Sequence, residues 1–356
     1  MEKTDIRSMD IGELKSLMAE MDEKTFRAGQ IFEWLHKKLV CSFDEMTNLS
    51  EELRKKLKDR CDILGVNEVD RLCSKLDETK KFLFKLEDGQ VIESVFMKYH
   101  FGTSVCISSQ AGCRMGCRFC ASTLLGLNRN LKPSEMLAQV YAIQKAVGER
   151  ISNIVIMGTG EPLDNYDNLV KFLRLITNVN GLNIGVRSIT VSTCGIVPNI
   201  RKLADEELSV NLALSLHAPN DIIRRSIMPV ALSYGLNEIF DSIDFYYTKY
   251  GRRITFEYSL MSGVNDSIEN AEELCDLLKG RKREVPKGYS FGTNILVNLI
   301  PVNEVKERNY KRSSDLHIND FKKLLEKRGI NVTVRRELGS DINAACGQLR
   351  KSYLST

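Results

Sequence analysis

The sequence predicts an α/β fold, a partial (β/α)6 barrel preceded by a small N-terminal helical domain and a β-hairpin extension. Three observations support this. Apolar residues recur with helical spacing near the start of the chain, the next segment has the period of strands, and from about residue 103 strand-like and helix-like segments alternate. Six strands separated by helices indicate parallel strands with crossover connections. An open doubly wound sheet is the alternative, and in both folds functional residues gather at the carboxyl ends of the strands.

The N-terminal part is expected to form short helices, because apolar residues have helical spacing in residues 26–39 and 51–57. Two strand-like runs then flank Asp88-Gly89, a pair typical of a hairpin turn. The expected boundaries are 1–75 for the helical domain, 76–102 for the hairpin extension and 103–356 for the barrel with its C-terminal loop.

The barrel elements follow from alternating periodicities along the chain. The candidate strands are 103–109, 153–158, 187–193, 209–216, 253–261 and 293–300, with a further strand at 331–336. Helical patterns between strands include 133–147, 165–178, 236–249 and 268–279.

Composition places the chain among soluble globular proteins, with 43% hydrophobic and 28% charged residues. No apolar run approaches the roughly 20 residues of a membrane span, and the first residues do not resemble a secretory signal. We therefore expect a cytoplasmic protein without membrane contact. The net charge of +4 is weak support for an anionic partner. Ten cysteines in a reducing compartment indicate metal binding or catalysis rather than disulfides.

Cys113, Cys117 and Cys120 form a CxxxCxxC motif directly after the first predicted barrel strand. Three thiolates in one loop can turn to one point, and since iron–sulfur clusters normally take four, one iron would stay open to another molecule. Structural zinc prefers four ligands in CxxC pairs, and the sequence has no second pair. Burial as small apolar residues fits poorly with the two arginines and the glycine of this loop. The motif therefore indicates a cluster, with zinc and a structural role as alternatives.

Polar or glycine-containing segments end several of the later predicted strands. Because the carboxyl ends of parallel strands share one edge, we expect these segments to lie beside the cysteine loop. Any one of them could equally be an ordinary strand end, and a lone histidine there is often only hydrogen-bonded. The candidate binding residues are Gly160, Glu161, Ser192, Ser215, Leu216, His217 and Asn303.

CxxxCxxC with an aromatic residue before its last cysteine resembles the signature of the radical S-adenosylmethionine (SAM) superfamily. Further segments lengthen the resemblance until it covers roughly residues 20–350, and the whole array is similar to the RlmN/Cfr family of radical SAM RNA adenine methyltransferases. These segments are Cys106-x-Ser-Ser-Gln-x-Gly-Cys113, Gly126-x-x-Arg-Asn-Leu131, Gly158-x-Gly-Glu-Pro-Leu163, Ser215-Leu-His217, Asn298-Leu-Ile-Pro301 and Asp341-Ile-Asn-Ala-Ala-Cys-Gly-Gln-Leu349.

The resemblance implies a radical SAM barrel with a 4Fe-4S cluster on the three motif cysteines and two SAM molecules per turnover. SAM would be contacted by the candidate binding residues. Cys346 would carry a methyl group taken from one SAM, and its radical would add to the RNA base. Glu93 would be the general base, and Cys106 would release the product by forming a disulfide with Cys346.

The resemblance also implies the substrates and partners. Methylation would occur at adenine C2, in the peptidyl-transferase centre of 23S rRNA and at the adenosine 3′ of the anticodon in tRNA. A one-electron reductant such as flavodoxin or ferredoxin would supply electrons, the N-terminal helical domain would hold RNA, and the chain would act as a monomer. Basic runs at 54–60, 279–287 and 306–312 suit phosphate contacts, although any one of them could be ordinary surface charge.

Three other functions remain open at this point. A Cfr-type enzyme would methylate adenine C8, and Pro162 after the Gly-x-Gly-Glu glutamate favours the C2 branch. A radical SAM enzyme could act on a different substrate. A non-catalytic, zinc-stapled RNA-binding protein would use the same cysteines and basic runs, but it would leave Cys106, Cys346 and the glycine loop without a role.

Overall fold

The computed structural model describes residues 3–100, 102–280 and 295–342. Two short strands near the start, β1 (Thr4–Asp5) and β2 (Cys61–Asp62), pair in parallel. The three helices between them in sequence are α1 (Ile11–Glu20), α2 (Arg27–His36) and α3 (Glu51–Arg60). Asp10 caps α1 by accepting a hydrogen bond from the Glu13 amide, which has no partner within the helix. The helical segments predicted at 26–39 and 51–57 are confirmed.

The N-terminal helices pack directly against the barrel. The Nδ1 atom of His36, a fully buried residue at the end of α2, lies 2.9 Å from the hydroxyl oxygen of Tyr141. Burial, with a smaller effect of the nearby Arg7, lowers the pKa of His36 to about 3, so its ring is neutral. The Ser134 hydroxyl donates to the Asp5 carboxylate at 2.6 Å. Apolar residues of both parts form one continuous core.

An antiparallel extension connects the helical part to the barrel. It consists of β3 (Asn67–Cys73), β4 (Lys80–Lys85) and β5 (Val91–Tyr99), and β5 pairs with the first barrel strand, β6 (Gly102–Cys106). The predicted hairpin is confirmed, with a φ of 81° at Gly89 that glycine adopts without strain. The expectation of helices as far as residue 75 is wrong for β3. This edge strand exposes nearly all its side chains, so it lacks the apolar alternation that predicts a strand.

The barrel strands run parallel and follow one another in chain order. Beside them, a small antiparallel pair forms from β7 (Gln110–Gly112) and β8 (Leu127–Asn130). The strands after β6 are β9 (Asn153–Ile156), β10 (Ile189–Thr193), β11 (Asn211–Ser215), β12 (Ile254–Leu260), β13 (Ile295–Pro301) and β14 (Val332–Val334). All seven strands predicted from residue 103 onward are therefore confirmed, with ends that differ by a few residues.

The strand order decides between the two candidate folds. The ten-stranded sheet runs β14-β13-β12-β11-β10-β9-β6-β5-β4-β3, and every pair from β6 to β14 is parallel. A doubly wound sheet reverses its order at a switch point, and this sheet does not. Among the described strands, β14 and β3 form two separate edges, so the barrel is partial, as the sequence predicted.

The helices that connect the barrel strands include the four predicted ones. The barrel helices are α4 (Pro133–Val147), α5 (Tyr166–Ile176), α6 (Val197–Asp205), α7 (Asp221–Ile227), α8 (Leu236–Tyr250), α9 (Ile268–Lys279) and α10 (Asp315–Lys327). The sequence patterns did not single out α6, α7 and α10. Helices α6 and α7 span nine and seven residues, fewer than the window in which helical periodicity is recognised. Within the described ranges, no helix has the length and apolarity needed to cross a bilayer.

Candidate active site

A cavity open to solvent lies at the carboxyl ends of the barrel strands. Its lining combines the cysteine loop with residues that follow β9, β10, β11 and β13, as expected for strand ends that share one edge. The predicted site residues that line it are Cys113, Cys117, Cys120, Gly160, Glu161, Ser192, Ser215, His217 and Asn303.

The cysteine loop is held in place by backbone contacts that require glycine. Gly112 has a φ of 84°, and a Cβ atom there would lie 2.0 Å from the carbonyl oxygen of Gly126. The Cys113 amide donates to that same carbonyl at 2.9 Å. On the far side of the loop, the Arg118 amide donates to the Ile227 carbonyl at the end of α7. The loop is therefore fixed between the β7–β8 pair and α7.

The surroundings of two motif thiols disfavour the thiolate form. Burial raises the pKa of Cys113 to about 12, and it raises the pKa of Cys117 further. Both thiols therefore hold their protons at neutral pH until a metal displaces them, because only the thiolate is a ligand. Each also interacts electrostatically with Cys120, so the three sulfurs are neighbours.

The arrangement of these donors fits a cluster better than a single zinc ion. Zinc–sulfur bonds of about 2.3 Å bring the sulfurs of a zinc site within about 4 Å of one another. Structural zinc takes four ligands, whereas the three cysteines of this loop match a four-iron cluster whose fourth iron is open.

The loop after β9 brings the backbone close to the start of β7. Gly160 has a φ of 110°, and a Cβ atom there would lie 2.6 Å from Cβ of Gln110. Gln110 also accepts a hydrogen bond from the Glu161 amide at 2.8 Å. Glycine at position 160 is therefore required for this crossing, which places Glu161 at the cavity wall.

Glu161 is a buried carboxylate with two backbone donors. Its Oε1 atom accepts from the Leu163 amide at 3.1 Å, and its Oε2 atom accepts from the Cys194 amide at 2.7 Å. Burial raises the pKa of Glu161, while the bonds from Cys194 and Leu163 oppose that effect. A cationic group entering the cavity would stabilise the ionised carboxylate, so Glu161 can receive an ammonium group.

His217 is a neutral imidazole with a fixed orientation. Its Nδ1 atom accepts a hydrogen bond from the Ser259 amide at 2.9 Å, which leaves the proton on Nε2. Burial, with a smaller effect of Arg224, lowers its pKa to about 3. The ring packs edge-on to Phe119 of the cysteine loop, with 5.1 Å between centroids. His217 can therefore donate one hydrogen bond but carries no charge.

The serines and Leu216 differ in what they present to the cavity. The hydroxyl oxygens of Ser192 and Ser215 lie 3.5 Å apart at the ends of neighbouring strands, so both can bind one ligand. The Leu216 side chain lies in the hydrophobic core instead, and its amide donates to the Glu257 carbonyl. A ligand contact by Leu216 would have to come from its backbone.

Cys106 and Glu93 lie beside the main cavity rather than in its lining. Cys106 is 5% exposed and packs with Val95, Met97 and the partly buried Met157. Glu93 shares the face of β5 with Val95, since side chains two positions apart point the same way. Its carboxylate lies 3.7 Å from the Lys81 ammonium, and both side chains are buried. Met157 also lines the cavity and so connects the two regions.

Cys346 lies outside the described residues, but the segment that leads to it is placed. Leu338 and Ile342 pack against the group that contains Cys106. The Asp341 carboxylate accepts hydrogen bonds from the Ser74 hydroxyl and the Lys75 amide, each at 2.8 Å. The turn between β3 and β4 therefore holds the C-terminal segment.

Three further polar or charged residues of the site were not predicted from the sequence. Glu257 lines the cavity, its pKa is raised by burial, and its Oε2 atom accepts from the Asn298 side chain at 2.8 Å. Arg335 also lines the cavity and acts electrostatically on Glu257. Arg308 donates to the Thr123 hydroxyl at 2.9 Å and so braces the cysteine loop. A carboxylate inside the otherwise apolar strand β12 was the available signal, because such residues are rarely buried without a partner.

Comparison with known proteins identifies the family. The family model described as "Ribosomal RNA large subunit methyltransferase N-terminal domain" matches residues 4–63, and the "Radical SAM superfamily" model matches residues 107–278. A protein of Lachnoclostridium phytofermentans named "Probable dual-specificity RNA methyltransferase RlmN" is 61% identical over 352 residues, which cover 99% of this chain and 96% of that protein. The chain belongs to the RlmN family of radical SAM methyltransferases.

Two further comparisons agree with RlmN-family membership. A protein of the same name from Lachnospira eligens is 56% identical over 351 residues, 99% of this chain and 97% of that protein. The crystal structure of a radical SAM methyltransferase from Sphaerobacter thermophilus aligns with a TM-score of 0.90 and 42% identity, covering 98% of this chain and 99% of that one. The predicted fold class and the assignment as a methyltransferase are confirmed, and the family implies a 4Fe-4S cluster and SAM.

Proposed function

We propose that this RlmN-family enzyme methylates C2 of adenosine in RNA, in the peptidyl-transferase centre of 23S rRNA and 3′ of the anticodon in tRNA. The names of the curated relatives support RNA as the substrate. One structural observation carries the proposal: the segment leading to Cys346 packs on the apolar group that contains Cys106, and Met157, which packs on the same group, also lines the cavity with the three motif cysteines. A methyl-carrying and a resolving cysteine need this arrangement.

The cavity residues fit the two cofactors that the family implies. Cys113, Cys117 and Cys120 would hold the cluster and leave one of its irons open for SAM. Together, the cluster and SAM would supply the radical chemistry. Glu161 would accept hydrogen bonds from the ammonium group of SAM. Ser192, Ser215, His217 and Asn303 would bind its other polar groups, with two SAM molecules used per turnover.

Cys346 and Cys106 would have different roles in methyl transfer. The Cys346 thiolate, a strong nucleophile, takes a methyl group from one SAM. Once the methylene carbon on Cys346 is bonded to adenine C2, the adduct must give up its odd electron, by one-electron oxidation, and its C2 proton. The Cys106 thiolate then attacks the Cys346 sulfur, the disulfide forms, the carbon–sulfur bond to RNA breaks, and the released carbon takes up a proton to become the methyl group. An external dithiol then reduces the disulfide by exchange. For the disulfide to form, the two Cα atoms must approach within about 7 Å.

Glu93 would remove the C2 proton during this sequence. Its position on the β5 face that also carries Val95, the register partner of Cys106, supports the role. The Lys81 ammonium lies 3.7 Å from the Glu93 carboxylate, so a cation is adjacent to the proposed base.

RNA would be bound by the N-terminal helices and the basic loops around the cavity. Helix α3 carries five basic residues, although Lys56 and Lys58 are paired with Glu23 and Asp44. The basic run at 279–287 lies almost wholly outside the described residues. We further propose a monomeric cytoplasmic enzyme that receives electrons from flavodoxin or ferredoxin.

The deciding experiment is mass spectrometry of nucleosides from 23S rRNA and tRNA after reaction with the reconstituted enzyme. The proposal expects 2-methyladenosine in both RNAs and none with Cys346→Ala. A Cys41→Ala variant is the matched control, since this cysteine is exposed and distant in sequence from the motifs. If 8-methyladenosine appeared instead, the Cfr-type alternative would replace C2 methylation. If the protein held zinc and left both RNAs unmodified, the enzymatic function would be refuted.

A further inference from the structure

Helix α7 carries a fully buried arginine directly behind the cysteine loop. The side chain of Arg224 has 0% relative exposure. Its guanidinium donates to the carbonyl oxygens of Cys194 at 2.6 Å, Leu216 at 3.2 Å and Ser215 at 3.3 Å. These carbonyls lie at the carboxyl ends of β10 and β11, so the hydrogen bonds of Arg224 connect the ends of these two strands.

Arg224 is a buried cation whose hydrogen bonds go only to neutral groups. No carboxylate among the described residues forms an ion pair with it. Asp221, one turn earlier on α7, is partly exposed and accepts a hydrogen bond from the Leu236 amide instead. Burying a charge without an opposite charge is costly, and a guanidinium cannot relieve that cost by losing its proton. An anion is therefore expected nearby in the functional protein.

The cysteine loop is where that anion would lie. Cys117 and Cys194 pack with Ile227 of α7 in one cluster of side chains. The sulfurs of these two cysteines are also the leading electrostatic neighbours of Arg224. Cys194 lies in the cavity lining beside Cys117.

We propose that Arg224 is the permanent counter-charge of the iron–sulfur cluster and raises its reduction potential. Three thiolates outweigh the positive charge of an oxidised four-iron core, so the bound cluster is anionic, and gaining one electron makes it more so. A fixed positive charge in a medium of low dielectric constant favours the reduced form more than the oxidised form. This inference rests on the proposed cluster site.

The structure also offers a matched control one residue away. Arg225 lies on the same helix, but its side chain is exposed. Its guanidinium donates to the Ala231 carbonyl at 3.4 Å. Replacing Arg225 removes the same charge from the same helix but in contact with water, where screening weakens its effect on the cluster.

The test is the midpoint potential of the reconstituted full-length protein without SAM, measured by redox titration followed by electron paramagnetic resonance. Iron content is measured in parallel. We expect Arg224→Gln to shift the potential to more negative values, while Arg224→Lys and Arg225→Gln keep it close to wild type. The lysine variant keeps the charge and loses the forked hydrogen bonds, so it separates charge from bracing.

Three outcomes would overturn the inference. The first is an unchanged potential in an Arg224→Gln protein with full iron content. The second is a fall in the midpoint potential of Arg224→Lys as large as that of Arg224→Gln, which would assign the effect to hydrogen bonding rather than charge. If Arg224→Gln does not fold, a lowered potential in Arg224→Lys alone refutes the inference, because this variant keeps the charge. The third is a wild-type protein that holds no four-iron cluster, and only this outcome also refutes the proposed cofactor site.

Discussion

Replacing Cys106 by alanine separates a catalytic role from a structural one. Cys106 is 5% exposed and packs among apolar side chains, so losing its sulfur should cost about 1 kcal/mol of unfolding free energy. Cys61 is 1% exposed and lies in the N-terminal part. Cys61→Ala should therefore cost a similar free energy without any effect on catalysis, which makes it the matched control.

The two variants should differ sharply in turnover. Cys106→Ala should bind the cluster and SAM, attach RNA to Cys346 and then stop, with no more than about one RNA consumed per enzyme. Denaturing gel electrophoresis with labelled RNA should show a crosslinked band that disappears in the Cys106→Ala/Cys346→Ala double variant. Multiple turnover by Cys106→Ala at the rate of Cys61→Ala would refute the resolving role, whatever the stability measurements show.

Three other perturbations test the site and its support. Cys117→Ala should abolish the four-iron cluster, measured as iron per protein, whereas Cys275→Ala, a buried cysteine far from the motif, should keep it; full iron in the first variant would contradict the ligand assignment. Gly160→Ala should cost roughly 2 kcal/mol or more in urea denaturation, because its Cβ atom would lie 2.6 Å from Cβ of Gln110 at a φ of 110°; wild-type stability would show that the loop can shift. His36 has a folded pKa of about 3 and an unfolded value of 6.5, so between these values only the unfolded chain binds the extra proton. Stability should therefore fall as the pH is lowered from 6.5 towards 3, by up to about 1.4 kcal/mol per pH unit. His36→Gln should reduce that slope, and an unchanged slope would contradict the assignment.

Local sequence patterns predicted many of the helices and strands and the residues at the centre of the site. Helix α4 coincides with its predicted range, because its apolar spacing and its initial proline are local signals. The three motif cysteines are close in sequence, so their meeting at one cavity depends on a single loop. Strand-end residues such as Glu161 lie in the same cavity because the carboxyl ends of parallel strands share one edge of the sheet.

The site residues that the sequence did not predict have environments formed by segments that are distant in sequence. Arg224 lies in a seven-residue helix and looks in the sequence like a surface arginine beside Arg225. Only its contacts with the ends of β10 and β11 reveal that it is buried. Glu257 likewise depends on Asn298 and on Arg335, which follows the last strand. Neither environment has a periodic signature in the sequence.

The hydrogen bonds between the β3–β4 turn and Asp341 concern a segment that is synthesised late in translation. Leu338 and Ile342, which pack against the group that contains Cys106, leave the ribosome more than two hundred residues after it. During synthesis this group is therefore packed only against earlier residues, such as Tyr99, Val155 and Met157, until the last part of the chain emerges. Cys346, the proposed disulfide partner of Cys106, emerges near the end of the chain. A chain that ends before Asp341 therefore lacks both the residues that pack against the Cys106 group and Cys346, the cysteine proposed to form a disulfide with Cys106.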